Sequence, residues 1–131
     1  RQDHLEWLSA LPTERTCFDD RLKIVHGHPD DPNRYTYPAL FSPELLTEED
    51  VLVMGHTHVQ AHETYEEGIV LNPGSVGQPR DGDPRAAYAI VDLEELTVEE
   101  HRVEYDIEGV IEAVEKAGLP EGTGTRLRKG R

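Results

Sequence analysis

The side chains best suited to chemistry in this chain are its seven histidines: His4, His26, His28, His56, His58, His62 and His101. Imidazole binds divalent transition ions and exchanges protons near neutral pH. His26 precedes Gly27, and His56 and His58 sit in the run Gly55-His56-Thr57-His58. In an extended segment an i, i+2 pair puts both rings on one face, near enough to serve adjacent metal ions. Manganese, iron, cobalt, nickel and zinc all accept imidazole, so the histidines do not name a metal. The same four residues also read as a turn carrying polar surface side chains, and both readings stand at this point. His28 is a second candidate, with a solvated loop histidine as its alternative. His4, His62 and His101 read as exposed structural residues. Cys17 is the one cysteine, so it reads as a small, partly buried side chain rather than a ligand.

The elements that must position these groups follow from the hydrophobic pattern. Residues 21–25 read as a strand running into His26-Gly27. Residues 51–54 form a short apolar strand that stops at Gly55-His56, and 69–71 form another that stops at Asn72-Pro73-Gly74. Ligand sites in α/β sheets gather at the carboxyl ends of strands, and glycine lets the backbone turn there. Three such ends predict one shared site. Asp3 is expected to cap a short helix carrying Leu5, Leu8 and Leu11, with Trp7 beside them. A polar loop spans 28–38, and a short acidic helix is expected over 43–50 with Ser42 as its cap. Strands are expected over 86–92 and 97–105, then a helix over 106–117 with Ile107, Val110, Ile111 and Val114 on one stripe. One domain is expected over 1–120, followed by a basic flexible tail over 121–131.

Composition narrows the function. The 131 residues hold 27 acids and 13 bases, a net charge of −14. Four of the bases lie in the last six residues, leaving −18 on the other 125. Such a surface repels phosphate and argues against general nucleic-acid binding. It stays hydrated where salt screens its self-repulsion, which predicts a salt-adapted protein; an ordinary acidic protein is the alternative. No apolar run approaches the roughly 20 residues of a membrane span, and the polar start does not read as a signal peptide. A lone cysteine fits a reducing cytoplasm.

The runs LKIVHGHP, VLVMGHTH and LNPGSVGQPRDGDPRAAYAIVD, in this order and at these spacings, resemble the later motifs of calcineurin-like metallophosphoesterases. The small bacterial and archaeal branch, which includes diadenosine-tetraphosphatase-like members, is most similar, over roughly residues 7–105. The resemblance implies an α/β fold, the C-terminal part of a four-layer α/β/β/α sandwich with a two-metal site at its strand ends. It implies two divalent ions, manganese foremost, with nickel, iron, cobalt or zinc as alternatives. By resemblance His26 and His56 bind the second metal and His58 the first. Asn72 and Gly74 belong to a turn bracing the site, with groups facing the substrate. Gln78 and Arg80 lie on the following loop. Arg80 would fork onto phosphate oxygens, with pairing to Asp81 or Asp83 as its alternative. The implied activity is metal-dependent hydrolysis of phosphate mono- or diesters, nucleotides among them.

Three earlier family motifs, an Asp-x-His, a Gly-Asp and a Gly-Asn-His, do not occur at matching positions in these 131 residues. They supply the bridging aspartate and the histidine that protonates the leaving group, so no catalytic acid is assigned. A bridging carboxylate is what allows two cations to sit about 3.5–4 Å apart, and three neutral imidazoles cannot replace it. The chain is therefore expected to be the later portion of such an enzyme. The alternatives are one half of a split enzyme, or a catalytically inactive shell serving binding or assembly. A missing N-terminal half or a second copy is the expected partner. An apolar, unpaired sheet edge is expected where the first strands would stand.

Overall fold

The computed structural model describes residues 2–131. Three short apolar runs make the centre: β2 (Leu22–Val25), β3 (Val51–Met54) and β5 (Ile69–Asn72). They lie side by side and parallel, with Val25 beside Met54 and Val53 beside Leu71. Two strands absent from the sequence reading flank them. β1 (Glu14–Cys17) pairs antiparallel with β2, and β4 (Ala61–Thr64) pairs antiparallel with β5, giving the order β1-β2-β3-β5-β4. Both edges are polar: Glu14, Arg15 and Thr16 are exposed on one side, and Glu63 and Thr64 on the other. Among the described residues, the five-stranded sheet therefore lacks the apolar unpaired edge expected from the sequence. Charged residues on an edge discourage pairing with a second chain, and the same polarity hides these strands from a hydrophobic pattern.

Alternation along the central strands splits the core in two. Leu22, Val51, Ile69 and Leu71 face one side, where Ala89, Val91 and Val98 cover them. Those residues belong to an antiparallel ribbon of β6 (Ala86–Asp92) and β7 (Thr97–Val103). Val25, Leu52, Met54 and Val70 face the other side, under Phe41, Leu45, Leu46 and Tyr65. Full burial of each such side chain stabilises by roughly 1.5–3 kcal/mol. Arg21 locks the two sheets together. Its guanidinium donates to Asp50 at 2.5 Å, where β3 begins, and to the Leu93 carbonyl between β6 and β7.

The acidic helix expected over 43–50 shrinks to one 3-10 turn, Pro43–Leu45, and Ser42 makes no side-chain capping bond. The reason lies in Glu49, which is buried. Its carboxylate accepts from the Thr47 hydroxyl at 2.6 Å and from the Thr47 and Glu48 amides at 3.2 and 3.3 Å. A side chain has taken amides that a helix would need. α1 covers Gln2–Ser9 with Asp3 in its first turn rather than before it, and none of its residues is buried. α2 (Ile107–Lys116) is capped by Asp106, whose carboxylate accepts from the Gly109 amide at 2.9 Å.

Residues 121–131, expected as a flexible tail, form α3 (Glu121–Thr125) and a 3-10 turn over Arg126–Lys129. The sequence reading found little there to bury, but Leu127 is 5% exposed. Gly124 is buried too, and a Cβ on it would stand 3.3 Å from Ile111, so glycine lets α3 close on the stripe of α2. Among the described residues no helix is long and apolar enough to cross a membrane.

Candidate functional site

The adjacent carboxyl ends of β2, β3 and β5 deliver His26-Gly27, Gly55 to His58, and Asn72 to Gly74 to one end of the sheet. The Gly55 amide donates to the His26 carbonyl at 2.8 Å, joining the first two turns. Asn72 joins the second to the third. It is fully buried, and its amide donates to the Gly55 carbonyl and the Thr57 hydroxyl, both at 2.9 Å. Its carbonyl oxygen accepts from the Gly74 amide at 2.9 Å. Gly74 has φ +83°, and a Cβ there would stand 2.7 Å from Ala87 Cβ, so the close approach requires glycine. Asn72 and Gly74 are thus committed to holding the turns together.

The His56-Thr57-His58 segment is not extended. His56 and His58 have φ values of +64° and +61°, while Thr57 between them is buried. Two non-glycine residues in the left-handed region within three positions cost about 1–3 kcal/mol each and mark a site whose surroundings over-determine it. The ring of His56 lies 4.6 Å from that of His26 and 3.9 Å from that of Tyr35, centroid to centroid. The Nε2–H of His56 can donate to the Asn33 carbonyl at 3.1 Å, leaving Nδ1 as the lone-pair nitrogen. His58 Nδ1 lies 2.7 Å from the Gln78 carbonyl. Donation from Nδ1–H to that carbonyl leaves Nε2 basic, the usual arrangement behind a metal-binding imidazole.

The structure thus brings His26 and His56 together and braces His58 separately. His28 stays in the loop, where its Nδ1 accepts from the Asp30 amide at 3.1 Å. His62 pairs with Glu100 at 2.7 Å and His101 stacks on Tyr88. Arg80 is exposed. Its amide donates to the His58 carbonyl at 3.0 Å and its guanidinium to Gln78 Oε1 at 3.2 Å. Neither Asp81 nor Asp83 pairs with it. Asp81 takes Arg102, and Asp83 takes Arg85 at 2.6 Å. Arg85 holds the Asp83 carboxyl down at about 2. Burial pushes Asp81 up, but Arg102 and the amides of Gln60 and Asp83 outweigh it and leave Asp81 below the ordinary aspartate range.

Asn33, Tyr35 and the Gln78 carbonyl escaped the sequence reading. The first two reach His56 because Gly27 lets the loop fold back, since a Cβ there would stand 2.6 Å from the Pro32 carbonyl oxygen. Three prolines and two tyrosines in that loop were its signal.

Residues 2–96 match the calcineurin-like phosphoesterase superfamily domain. The chain belongs to that superfamily. It is 32% identical over 150 aligned positions to the uncharacterized protein MJ0912 of Methanocaldococcus jannaschii, covering all of this chain and 61% of the relative. It is 41% identical over 81 residues to the phosphodiesterase YfcE of Escherichia coli K12, covering 60% of this chain and 38% of YfcE. The chain therefore spans less than two thirds of either relative. A metallophosphoesterase from Sphaerobacter thermophilus superposes with a TM-score of 0.87 at 33% identity, over all of this chain and 64% of that one. The mixed α/β fold is thus that of a metallophosphoesterase sandwich.

The superfamily is generally metal-dependent. Among the described residues no three of His, Cys, Asp and Glu are grouped to hold an ion. The three histidines offer neutral donors with no carboxylate beside them. Imidazole nitrogens suit a divalent transition ion, and these three would supply part of its ligands.

Proposed function

We propose that this chain carries the histidine share of a metal-dependent phosphoesterase centre acting on phosphate mono- or diesters, with His26, His56 and His58 as ligands and Arg80 on the substrate phosphate. One observation carries the reading: two left-handed histidines at a parallel strand end, with the Nδ1 of His58 pinned to the Gln78 carbonyl. The bridging carboxylate and the proton donor come from residues outside these 131. Manganese is the first metal to try, with nickel, iron, cobalt and zinc behind it. Cytoplasmic, salt-rich surroundings suit the charge of −14 and the lone cysteine.

Equilibrium dialysis against Mn²⁺ in molar KCl tests the ligands directly. The chain should bind an ion weakly, and the double variant His56→Ala/His58→Ala should bind none. In a form that also carries the Asp-x-His, Gly-Asp and Gly-Asn-His motifs, either single variant should lower hydrolysis of bis-p-nitrophenyl phosphate on the order of 10²-fold or more. Near-normal rates in both would sink the assignment.

A second reading is assembly with a separately supplied N-terminal half, which would cover α1. Its Leu5 and Trp7 are 65% and 64% exposed, and no residue of α1 is buried. Exposed apolar side chains in such a row mark a surface made to be covered.

A further inference from the structure

The basic end of the chain is seated beside the candidate site. The Gly82 amide donates to the Gly130 carbonyl at 3.1 Å, and Gln78 Nε2 donates to the Arg131 backbone oxygen at 3.1 Å. Gly130 is left-handed, with φ +59°, and a Cβ on it would fall 2.7 Å from the Asp83 carbonyl, so this contact is backbone against backbone. Gln78 is the hub. Its carbonyl holds His58, its Oε1 accepts from Arg80, and its Nε2 reaches Arg131.

Arg131 also lines a recess of about 470 Å³, together with Arg126, Arg128 and Lys129 and with Thr125 and Gly122. Glu108 neutralises Arg128 through two bonds of 2.7 and 2.6 Å. Arg126 donates its Nε to the Gly122 carbonyl at 2.6 Å, which leaves its terminal nitrogens available. Among the described residues Arg126, Lys129 and Arg131 have no carboxylate partner. Three uncompensated cations around one recess stand out in a chain of net charge −14. Arginine forks and a lysine ammonium are suited to phosphate oxygens. The remaining acidic surface would repel an extended polyanion, so the recess suits a compact one.

We propose that this recess is an anion subsite for a compact polyphosphate, either the distal end of a substrate whose near phosphate lies by Arg80 or a free effector. Its link to substrate rests on the phosphoesterase reading, while its affinity for anions does not.

Calorimetric titration of the full chain with inorganic pyrophosphate, in EDTA at fixed ionic strength, separates the two. The triple variant Arg126→Ala/Lys129→Ala/Arg131→Ala should bind at least about tenfold more weakly, as loss of charge-assisted hydrogen bonds requires. Glu108→Gln frees Arg128 and should tighten binding, a gain that misfolding cannot mimic. His56→Ala/His58→Ala should leave pyrophosphate affinity unchanged, so failure of the metal-site reading would not disturb the result. ADP weakened by both the triple variant and Arg80→Ala identifies a substrate spanning the two sites. ADP weakened by the triple variant alone identifies a free effector, and either result supports the subsite. Pyrophosphate affinity within twofold of the parent in the triple variant overturns the proposal. So does a single-stranded RNA 12-mer binding more tightly than pyrophosphate.

Discussion

Asn72→Ala should be among the most damaging single substitutions in this chain, although it removes no apolar surface of note. The side chain is 0% exposed and makes three hydrogen bonds of 2.9 Å, to the Gly55 carbonyl, the Thr57 hydroxyl and the Gly74 amide. Truncation leaves those groups facing a void. Thr57 Oγ1 keeps a weaker bond from the Val59 amide at 3.3 Å and the Gly55 carbonyl keeps the Thr57 amide at 2.7 Å, so the Gly74 amide loses its partner outright and the other two lose theirs in part. At roughly 1–3 kcal/mol for a buried group left unpaired, and less for the two that keep a bond, the loss comes to about 2–4 kcal/mol. Total stabilities are about 5–15 kcal/mol. With a urea slope of about 1–3 kcal/mol per molar, the midpoint should fall by roughly 1–3 M without a change in slope. Thr57→Val removes one of the same bonds and should cost less. A double-mutant cycle between positions 57 and 72 should show coupling, because the two side chains bond each other directly. The ring resonances of His56 and His58 should shift in Asn72→Ala, since the turns they stand on are no longer joined. A loss below about 1 kcal/mol, with those resonances unmoved, would refute the bracing role.

Three further outcomes follow from the same geometry. Gly27→Ala should cost about 1–3 kcal/mol by overpacking against the Pro32 and Arg34 carbonyls, read from urea midpoints. It should also raise proteolysis within residues 28–38, while an unchanged cleavage rate would mean that Gly27 does not seat the loop. Asp81 and Asp83 titrate below the ordinary aspartate range, so each contributes stability that is present above about pH 4 and lost as the pH falls, toward about 2 for Asp83. Arg85→Gln and Arg102→Gln should both flatten this acid limb in midpoints measured from pH 6 to pH 2. The folded fraction should rise from low salt to molar KCl as the charge of −14 is screened, and a flat or falling response would refute salt adaptation.

The sequence was most legible where burial dictated it. Val51–Met54 and Ile69–Leu71 are apolar because sheet and covering layers enclose them, and Leu22 and Val25 are buried beside them, so these runs and their glycine-containing ends could be read directly. β1 and β4 escaped because they are edges, and edges are kept polar. The helix expected over 43–50 failed through one side chain, Glu49, whose bonds to Thr47 and Glu48 no periodicity reveals. At the site the residue types at 26, 56, 58 and 72 were visible, but the backbone was not. An alternating HxH pattern suggested extended chain, whereas Asn72 and the Gly55 turn hold both histidines left-handed. Tyr35 and Asn33 reach His56 only through the fold of a loop, which spacing along the chain does not encode. The basic end looked like solvated tail because its one buried apolar side chain, Leu127, was outweighed by charge, and its backbone contacts through Gly124 and Gly130 leave no mark in a hydrophobic pattern.

The left-handed histidines also set folding and function against each other. Glycine adopts φ values near +60° without the steric cost that a side chain carries. A population of variants screened for thermal resistance alone would therefore drift toward glycine at positions 56 and 58, gaining robustness and discarding imidazole. A screen for resilience would erode this centre first at the two positions where the side chain has a use and the backbone bears the expense. Engineering of the molecule should hold those two codons fixed and look for stability in the polar edges and the loops instead.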